Sequence, residues 1–479
     1  MGLLFYGCLF FLLALVSYYL VKKQFQVYVL FFSSIIFIAS LSINVAIFSM
    51  LFTVLNYFLG LLMEKYRGKP ELKLKVFWFS IFLDVAILAF FKYFNFFIDD
   101  LSLSLFSSGV YSKVPFHSLM IPLGISYYTF QTLGYLIRVS RGNEKAEHNF
   151  AAFATYLLFF PKFLSGPVSR SNHLLPQINQ PVKFERNNIE AGAQLFLWGL
   201  FKKVVIADNL YGPVTQVYSN VHDYSGTALI IVLLVQIIYI YFDFSGYTDM
   251  ALGLAKMFGI NLIDNFNRPL LAKSISEFWR RWHISLSSWC NDFIYNPFII
   301  KYRRFGNRAV IAGIFVTFFI VGIWHGANLT FVILGLLQGA AIVYEFYTKK
   351  YRLKYAARFS KSTVNAVSRI IVFLFMTMSM VFFFSNSVSE AWYFLTHLFS
   401  GFRFNLKEFD FINQQPQFAF ALCVFIVLFI FEMLNEKGKN LQASFLKQPL
   451  WVRWAGYFSC MLLVYVFYSG VETFYYMRF

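Results

Sequence analysis

The sequence predicts an all-α protein that crosses a membrane many times, and two observations carry this prediction. The chain has 479 residues, of which 59% are hydrophobic and only 13% are charged, whereas soluble domains carry about a quarter charged residues. Apolar runs of about 20 residues, the length that spans a bilayer as a helix, recur along the whole chain. The predicted spans are 3–21, 27–46, 46–63, 75–97, 118–138, 150–165, 190–207, 227–254, 309–324, 327–346, 368–385, 417–433 and 453–470.

The formal net charge of +18 is placed in short basic stretches between these runs, for example at 22–23, 65–75 and 138–145. Such placement is typical of cytoplasmic loops, and an intervening loop with acidic residues at 99–100 suits the opposite side. We therefore expect an N-terminus outside the cytoplasm and a retained first span rather than a signal peptide. Nucleic acid is not expected as a partner.

One titratable residue, His325, lies within the apolar stretch FFIVGIWHGANLTFVI at 318–333. Basic stretches bracket this region on both sides, so WHGAN is predicted to lie near the turn of a membrane hairpin. An ionisable group at membrane depth is costly and is a candidate for function. A neutral imidazole here can act as a general base, or it can be a core histidine satisfied by Asn328.

The longest amphipathic stretch contains SISEFWRRWHISLSSWCNDFIYNPF. Ser274 and Ser276 are the two candidate N-caps, with Glu277 at capping-box spacing from Ser274, and an apolar face predicts a helix lying at the membrane interface. Asn296-Pro297 is expected to end this helix. His283 lies on it, either as an interfacial histidine near lipid headgroups or as part of a site.

Two carboxylates, Asp243 and Asp249, lie in the apolar segment YFDFSGYTDMALGLAKMFG. At membrane depth they must pair with a cation or cap a helix broken at Ser245-Gly246. Lys256 and the arginines of the following segment are candidate cations, and a structural role is favoured for both aspartates.

The sequence contains neither a G-x-S-x-G nucleophile elbow nor a phosphate-binding glycine loop. Its four cysteines have no metal-ligand or redox spacing, so neither a disulfide framework nor a metal site is predicted. A buried base without a protein nucleophile suits direct transfer of a group between two substrates.

Four motifs together resemble the membrane-bound O-acyltransferase (MBOAT) family: SGPVSR, FDFSGYTDMALGLAKMFGINL, NFNRPLLAKSISEFWRRWHISLSSW and WHGAN. PLGISYYTFQTLGYL at 122–136 is similar to the bacterial alginate O-acetylation branch, and WHG is shared with the more distant D-alanyl-transfer branch. The resemblance implies one membrane-embedded acyltransferase domain over 1–479, with N-terminal helices at 1–115, a core at 116–346 and C-terminal helices at 347–479. The implied fold is a ring of tilted transmembrane helices, with re-entrant and interfacial helices, around a central funnel.

The resemblance also implies the site. His325 corresponds to the family's catalytic histidine and His283 to its second characteristic histidine. Further residues are candidates for binding substrate, attracting donor phosphates or shaping the site: Trp324, Asn328, Arg280, Arg281, Trp282 and Asp249. No bound cofactor is implied.

The implied reaction takes an acyl group, most simply acetyl, from a cytoplasmic thioester donor such as acetyl-CoA or an acyl-carrier thioester. The implied acceptor is a hydroxyl of an extracytoplasmic polysaccharide or of an esterase-like partner transferase, and the protein is implied to lie in the bacterial inner membrane. Three alternatives stay open: transfer of D-alanine or another acyl group from a carrier protein to a cell-wall polymer, a proton-coupled transporter, and a structural subunit of an export complex.

Overall fold

The computed structural model of the chain describes residues 2–107, 122–400, 412 and 417–468, with the backbone alone described at 2–5 and 95–107. Helices account for most of these residues, and no β-strand occurs among them. The α-helices are α1 (Gly2–Leu20), α2 (Gln26–Leu41), α3 (Ile43–Lys65), α4 (Pro70–Ser107), α5 (Ile125–Ser140), α6 (Phe150–Leu158), α7 (Ser171–Asn179), α8 (Arg186–Phe201), α9 (Asp208–Ser219), α10 (Thr227–Met257), α11 (Ile275–Arg281), α12 (Ile284–Cys290), α13 (Asn296–Lys301), α14 (Asn307–His325), α15 (Leu329–Ala356), α16 (Lys361–Phe384), α17 (Val388–Thr396), α18 (Gln417–Glu436), α19 (Leu441–Leu446) and α20 (Leu450–Phe467).

Within the described ranges, nine helical segments are long and apolar enough to cross a membrane. They are Lys23–Leu41, Ile43–Lys65, Pro70–Phe94, Thr227–Met257, Asn307–His325, Leu329–Ala356, Lys361–Phe384, Gln417–Glu436 and Leu450–Phe467. Each coincides with a predicted span, which confirms the prediction of an all-α polytopic membrane protein. The predicted spans at 3–21 and 150–165 form shorter apolar helices, and the start of the one at 118–138 lies outside the described residues.

Three local predictions are wrong. The residues at 99–100 lie in α4 and not in a loop; the remainder of that predicted loop, up to residue 121, lies outside the described residues. The prolines of the stretch 165–188 predict a loop there, but this stretch contains α7, and Pro176 lies inside that helix. The segment 241–259 is not broken at Ser245-Gly246, because α10 is continuous to Met257.

The chain divides into two compact units, one of Met1–Phe196 with Ala251–Ile263 and the other of Leu197–Met250 with Asp264–Arg478. The first unit has an aromatic core centred on Phe258, which is fully buried. Its ring makes edge contacts with Tyr18 at 5.2 Å and with Phe11 at 5.7 Å between centroids. Edge-to-face packing of this kind is the favoured geometry for aromatic pairs.

In the second unit, α14 and α15 form a hairpin whose backbones approach closely. A Cβ atom added at Gly335 would lie 2.3 Å from the carbonyl oxygen of Phe318, and one at Gly322 would lie 2.5 Å from that of Phe331. Only glycine fits such contacts. The hairpin turn contains WHGAN, as predicted, because α14 ends at His325 and Asn328 caps α15 by accepting from the Thr330 amide at 3.0 Å.

The predicted interfacial helix is interrupted. Ser274 caps α11 by accepting from the Glu277 amide at 3.0 Å, which confirms the predicted start. The helix then breaks after Arg281, since His283 has a left-handed backbone with φ +44°. The prediction that Asn296-Pro297 ends the helix is wrong: a π-helical turn leads into α13, where the proline occupies the first turn and loses no helical hydrogen bond.

Between α8 and α9, a π-helical stretch at Lys202–Ala207 brings two consecutive lysines to the aspartates of α10. Lys202 Nζ lies 2.7 Å from Asp249. Lys203 Nζ lies 2.6 Å from Asp243 and 2.7 Å from Asp208, and all three of these groups are buried. The predicted pairing of the α10 aspartates with cations is therefore confirmed, although the cations come from this stretch and not from the residues expected.

We expect Lys203→Met to lower the free energy of unfolding by about 3–5 kcal/mol, because two buried carboxylates would lose their cation. Unfolding of the purified protein in detergent micelles measures this change. The control is Arg186→Ala, which breaks an exposed ion pair with Glu190 and should cost less than about 1 kcal/mol. Equal effects of the two substitutions would contradict the structural role of Lys203.

Candidate active site

His325 lies at the carboxyl end of α14 and is only 8% exposed. Its ring is 4.7 Å from that of Trp324 and 5.5 Å from that of Phe383, measured between centroids. The chain reverses immediately after it at Gly326, where an added Cβ would lie 2.6 Å from the Phe331 ring. The tight turn thus holds the imidazole among aromatic rings.

His283 occupies the break between α11 and α12 and is 1% exposed. An isolated antiparallel bridge pairs Phe266 with Trp282 beside it. In this bridge the Ile284 amide donates to the Asn265 carbonyl at 3.0 Å. The side chain of Asn265 also reaches the imidazole, with 3.1 Å between its Oδ1 and His283 Nδ1.

Burial lowers the pKa of His283 from its ordinary value of about 6.5 to about 3. Desolvation of the buried ring is the cause of this lowered pKa. The side chain is therefore a neutral imidazole at physiological pH, able to accept a hydrogen bond on the nitrogen that carries no proton.

Both histidines line one narrow cavity of about 30 Å³ in the second unit. The indole of Trp324 packs against both of them, with 6.1 Å between its ring and that of His283. The other described residues that line the cavity are Ile240, Trp279, Trp282, Leu286, Phe318, Val321, Gly322, Leu334, Gly335, Gln338, Met380 and Phe383. The two histidines thus face a small, mostly apolar space.

A much larger open cleft of about 1750 Å³ lies next to this cavity. Four side chains line both spaces and form the wall between them: Trp279, Leu286, Phe318 and Val321. Three basic residues, Arg280, Lys349 and Arg352, line the cleft. The basic-lined cleft and the histidine cavity are thus neighbouring spaces separated by these four side chains.

The predicted site residues separate into two groups. His325, His283 and Trp282 line the cavity, Trp324 packs against both histidines, and Arg280 lines the adjoining cleft. The remaining three, Arg281, Asp249 and Asn328, are not among the described residues that line either space.

Each of these three has another partner. Arg281 pairs with Glu436 at 2.7 Å and with Glu277 at 2.7 Å, and Asp249 pairs with Lys202. The Asn328 amide donates to the Asn386 carbonyl. Their contacts are those of residues that hold helices together.

Two polar residues of the site were not singled out in the sequence. Asn265 begins the NFNRP motif, but nothing in that motif indicates which side chain it contacts. Gln338 is a lone amide in an apolar helix, a signal that was available. It accepts from the Trp279 indole N–H at 3.2 Å and donates to Ser379 Oγ at 2.8 Å, which fixes one side of the wall between cleft and cavity.

The fold and the site define a multi-pass membrane protein with a buried histidine pair. The sequence model of the membrane-bound O-acyltransferase (MBOAT) family matches residues 3–388. The chain belongs to this family. It is an O-acyltransferase of the bacterial membrane, which decides against the transporter and export-subunit alternatives.

Relatives with assigned activities agree with this membership. The chain is 32% identical over 428 residues to the "Probable alginate O-acetylase AlgI" of Pseudomonas aeruginosa, covering 89% of this chain and 80% of that protein. It is 28% identical over 477 residues to the "Peptidoglycan O-acetyltransferase" of Helicobacter pylori, covering 89% and 86%. A "Teichoic acid D-alanyltransferase" of Bacillus subtilis is 31% identical over 222 residues, covering 44% and 55%.

We expect acid to destabilise the wild type more than a His283→Asn variant as the pH falls from about 6.5 towards about 3. In this window the unfolded histidine binds a proton that the folded protein, with its lowered pKa, does not bind, so stability is lost on acidification. Asparagine tolerates the left-handed backbone. The difference in unfolding free energy between the two proteins, measured across this window, tests the prediction; parallel curves would contradict it.

Proposed function

We propose that this chain transfers an acetyl group from a cytoplasmic thioester to a hydroxyl of an extracytoplasmic polysaccharide, or of a partner transferase that serves one. The observation that carries the proposal is the pair of buried histidines in a small cavity that shares four lining side chains with the basic-lined cleft. A donor that fills the cleft brings its thioester to the wall of the histidine cavity.

His325 is the general base of the proposed reaction. It occupies the last turn of a 19-residue helix, where the carbonyl end of the helix dipole stabilises a cation. The imidazolium that forms when His325 takes a proton is therefore favoured at this position. His283 is fully buried and stays neutral, so its proposed role is to accept a hydrogen bond from a substrate.

These groups account for every proton transferred and every bond formed or broken in the proposed reaction. His325 takes the proton of the acceptor hydroxyl while the oxygen attacks the thioester carbonyl. The tetrahedral intermediate then collapses, the carbon–sulfur bond breaks, and the thiolate takes the proton from the imidazolium. The products are an ester and a free thiol, and the enzyme returns to its starting state. Trp324, whose indole packs against both rings, is positioned to shape this reacting centre.

The cleft supports a phosphorylated thioester as donor. Arg280, Lys349 and Arg352 line it, and cationic side chains recognise phosphate. Acetyl-CoA and an acyl-carrier thioester both meet this description, because both carry phosphate on a pantetheine arm. The basic stretch at 345–369 is predicted to be cytoplasmic, which supports donor entry from that side.

The cavity supports acetyl over D-alanyl as the transferred group. A volume of about 30 Å³ is comparable to the space of one water molecule in the liquid and suits a methyl group. D-alanine would bring an ammonium group into this space, and a buried cation needs a partner. None of the described residues that line the cavity carries a carboxylate.

The acceptor is proposed from the relatives. The names of two of these relatives specify acetylation of alginate and of peptidoglycan. Both of these acceptors are hydroxyl-bearing polymers outside the cytoplasm. We propose a polymer of this class here, reached directly or through an esterase-like partner protein.

We expect His325→Ala to reduce acetyl transfer by about 10²–10⁴-fold, the usual contribution of a general base. The measurement is the acetyl content of surface polysaccharide in cells, together with transfer from a labelled acetyl thioester by the purified protein in vesicles. His222→Ala, at an exposed histidine, is the matched control and should retain activity. Undiminished transfer by His325→Ala at equal membrane levels would refute its proposed role.

We also expect Met380→Ala to enlarge the cavity and admit a longer acyl chain. Met380 lines the cavity, and one methylene in an apolar pocket discriminates by about 10–200-fold. The rate of propionyl transfer relative to acetyl transfer should therefore rise by about tenfold or more. Met378→Ala, at an exposed position two residues away in the same helix, should leave the ratio unchanged; the acetyl assignment of the cavity fails if both variants keep the wild-type ratio.

A further inference from the structure

We propose that Asn265 is a positioning residue that holds His283 in the tautomer with its proton on Nδ1, so that Nε2 is the nitrogen that accepts hydrogen bonds. The inference rests on the proposed function, in which neutral His283 meets a substrate in the cavity. It adds a residue for which neither the sequence motifs nor the relatives indicate a role.

The tautomer follows from a backbone donor. Asn265 Oδ1 lies 3.1 Å from the Ser285 amide nitrogen and 2.8 Å from Ser285 Oγ. A backbone N–H can only donate, so the Asn265 atom facing it is the oxygen and not the amide nitrogen. An amide oxygen can only accept, and the His283 Nδ1 that lies 3.1 Å from the same oxygen must therefore carry the proton.

Asn265 also holds the backbone of His283 in its left-handed conformation. Its carbonyl accepts from the Ile284 amide at 3.0 Å, and its side chain accepts from the Ser285 amide, so two successive amides after His283 are bound. A left-handed conformation is unfavourable for a residue other than glycine. These bonds favour the conformation and aim the imidazole at the cavity, since Asn265 is itself 1% exposed and rigidly packed.

The charged and titratable groups near His283 include His325, Arg281, Asp243 and Asp264. His325 of α14 shares the cavity. Arg281 of α11 pairs with Glu436, and Asp243, which precedes the Phe244 ring that packs on His283 in α10, pairs with Lys203. Asp264, next to Asn265, is exposed, and its pKa is raised by desolvation and then by the charge of Asp249.

An amide differs from a carboxylate at this position in one respect that matters. It accepts the Nδ1 proton without attracting a second proton to the ring. A carboxylate within hydrogen-bond distance favours the charged form of a histidine and raises its pKa by about 1–3 units. The isosteric substitution Asn265→Asp would therefore raise the pH at which Nε2 takes up a proton and changes from an acceptor to a donor.

The first measurement is ¹⁵N NMR of the wild-type protein labelled at histidine, with the His283 signals assigned by their loss in His283→Asn. Nitrogen chemical shifts distinguish the two tautomers and the imidazolium. We expect a neutral ring protonated on Nδ1 at pH 7. A ring protonated on Nε2, or one that is charged at pH 7, would overturn the proposal without any need for a folded Asn265 variant.

The second measurement is the pH dependence of acetyl transfer by Asn265→Asp. We expect the acidic limb of kcat/KM to move up by about one pH unit or more, and the His283 signals to become those of an imidazolium at a higher pH than in the wild type. Asn187→Asp, at an exposed position, controls for the added charge and should keep the wild-type profile. A folded Asn265→Asp protein with the wild-type profile and spectrum would overturn the proposal.

These experiments distinguish failure of the proposed function from failure of the inference about Asn265. Full activity of His283→Asn would show that His283 has no part in catalysis. Asn265 would then have no positioning role in the reaction. If His283→Asn is inactive while Asn265→Asp behaves as wild type, the proposed function stands and only the inference about Asn265 fails.

Discussion

Polar groups that lie at membrane depth must be satisfied within the protein, because lipid offers them no hydrogen bond, and the structure of the second unit follows this constraint. Lys203 lies between Asp208 and Asp243. The Gln338 amide joins Trp279 to Ser379. Such pairings fix helices at defined positions, and the two histidines can then be held in a cavity that is otherwise lined by apolar side chains.

Local properties of the sequence were sufficient to predict much of the fold. Hydropathy located the nine membrane-length helices of the described chain, and capping chemistry located the start of α11 at Ser274. The lysine partners of the α10 aspartates could not be predicted in this way. They depend on the π-helical turn at Lys202–Ala207, whose extra residue per turn arises from packing and has no distinct composition.

Only part of the candidate site was predicted, because its other contacts also join residues that are distant in sequence. The resemblance to the family identified His325 and His283 as candidate catalytic residues. It also pointed to Trp324 and Trp282, which precede them in the sequence. Asn265 is 18 residues from His283, and only the antiparallel bridge brings the two together, so sequence patterns gave no indication of the contact. The assignment of site residues, the ring-and-funnel arrangement and the division at 115 and 346 stay predictions.

The wall between the cleft and the cavity consists of four side chains, Trp279, Leu286, Phe318 and Val321. Rotation of side chains takes nanoseconds or less when they are free to move, whereas rearrangement of whole helices takes microseconds to milliseconds. Passage through such a wall requires no alternating access of the kind a transporter uses. The space beyond the wall is about 30 Å³, too small for a hydrated ion, so this cavity as it stands in the structure offers ions no passage.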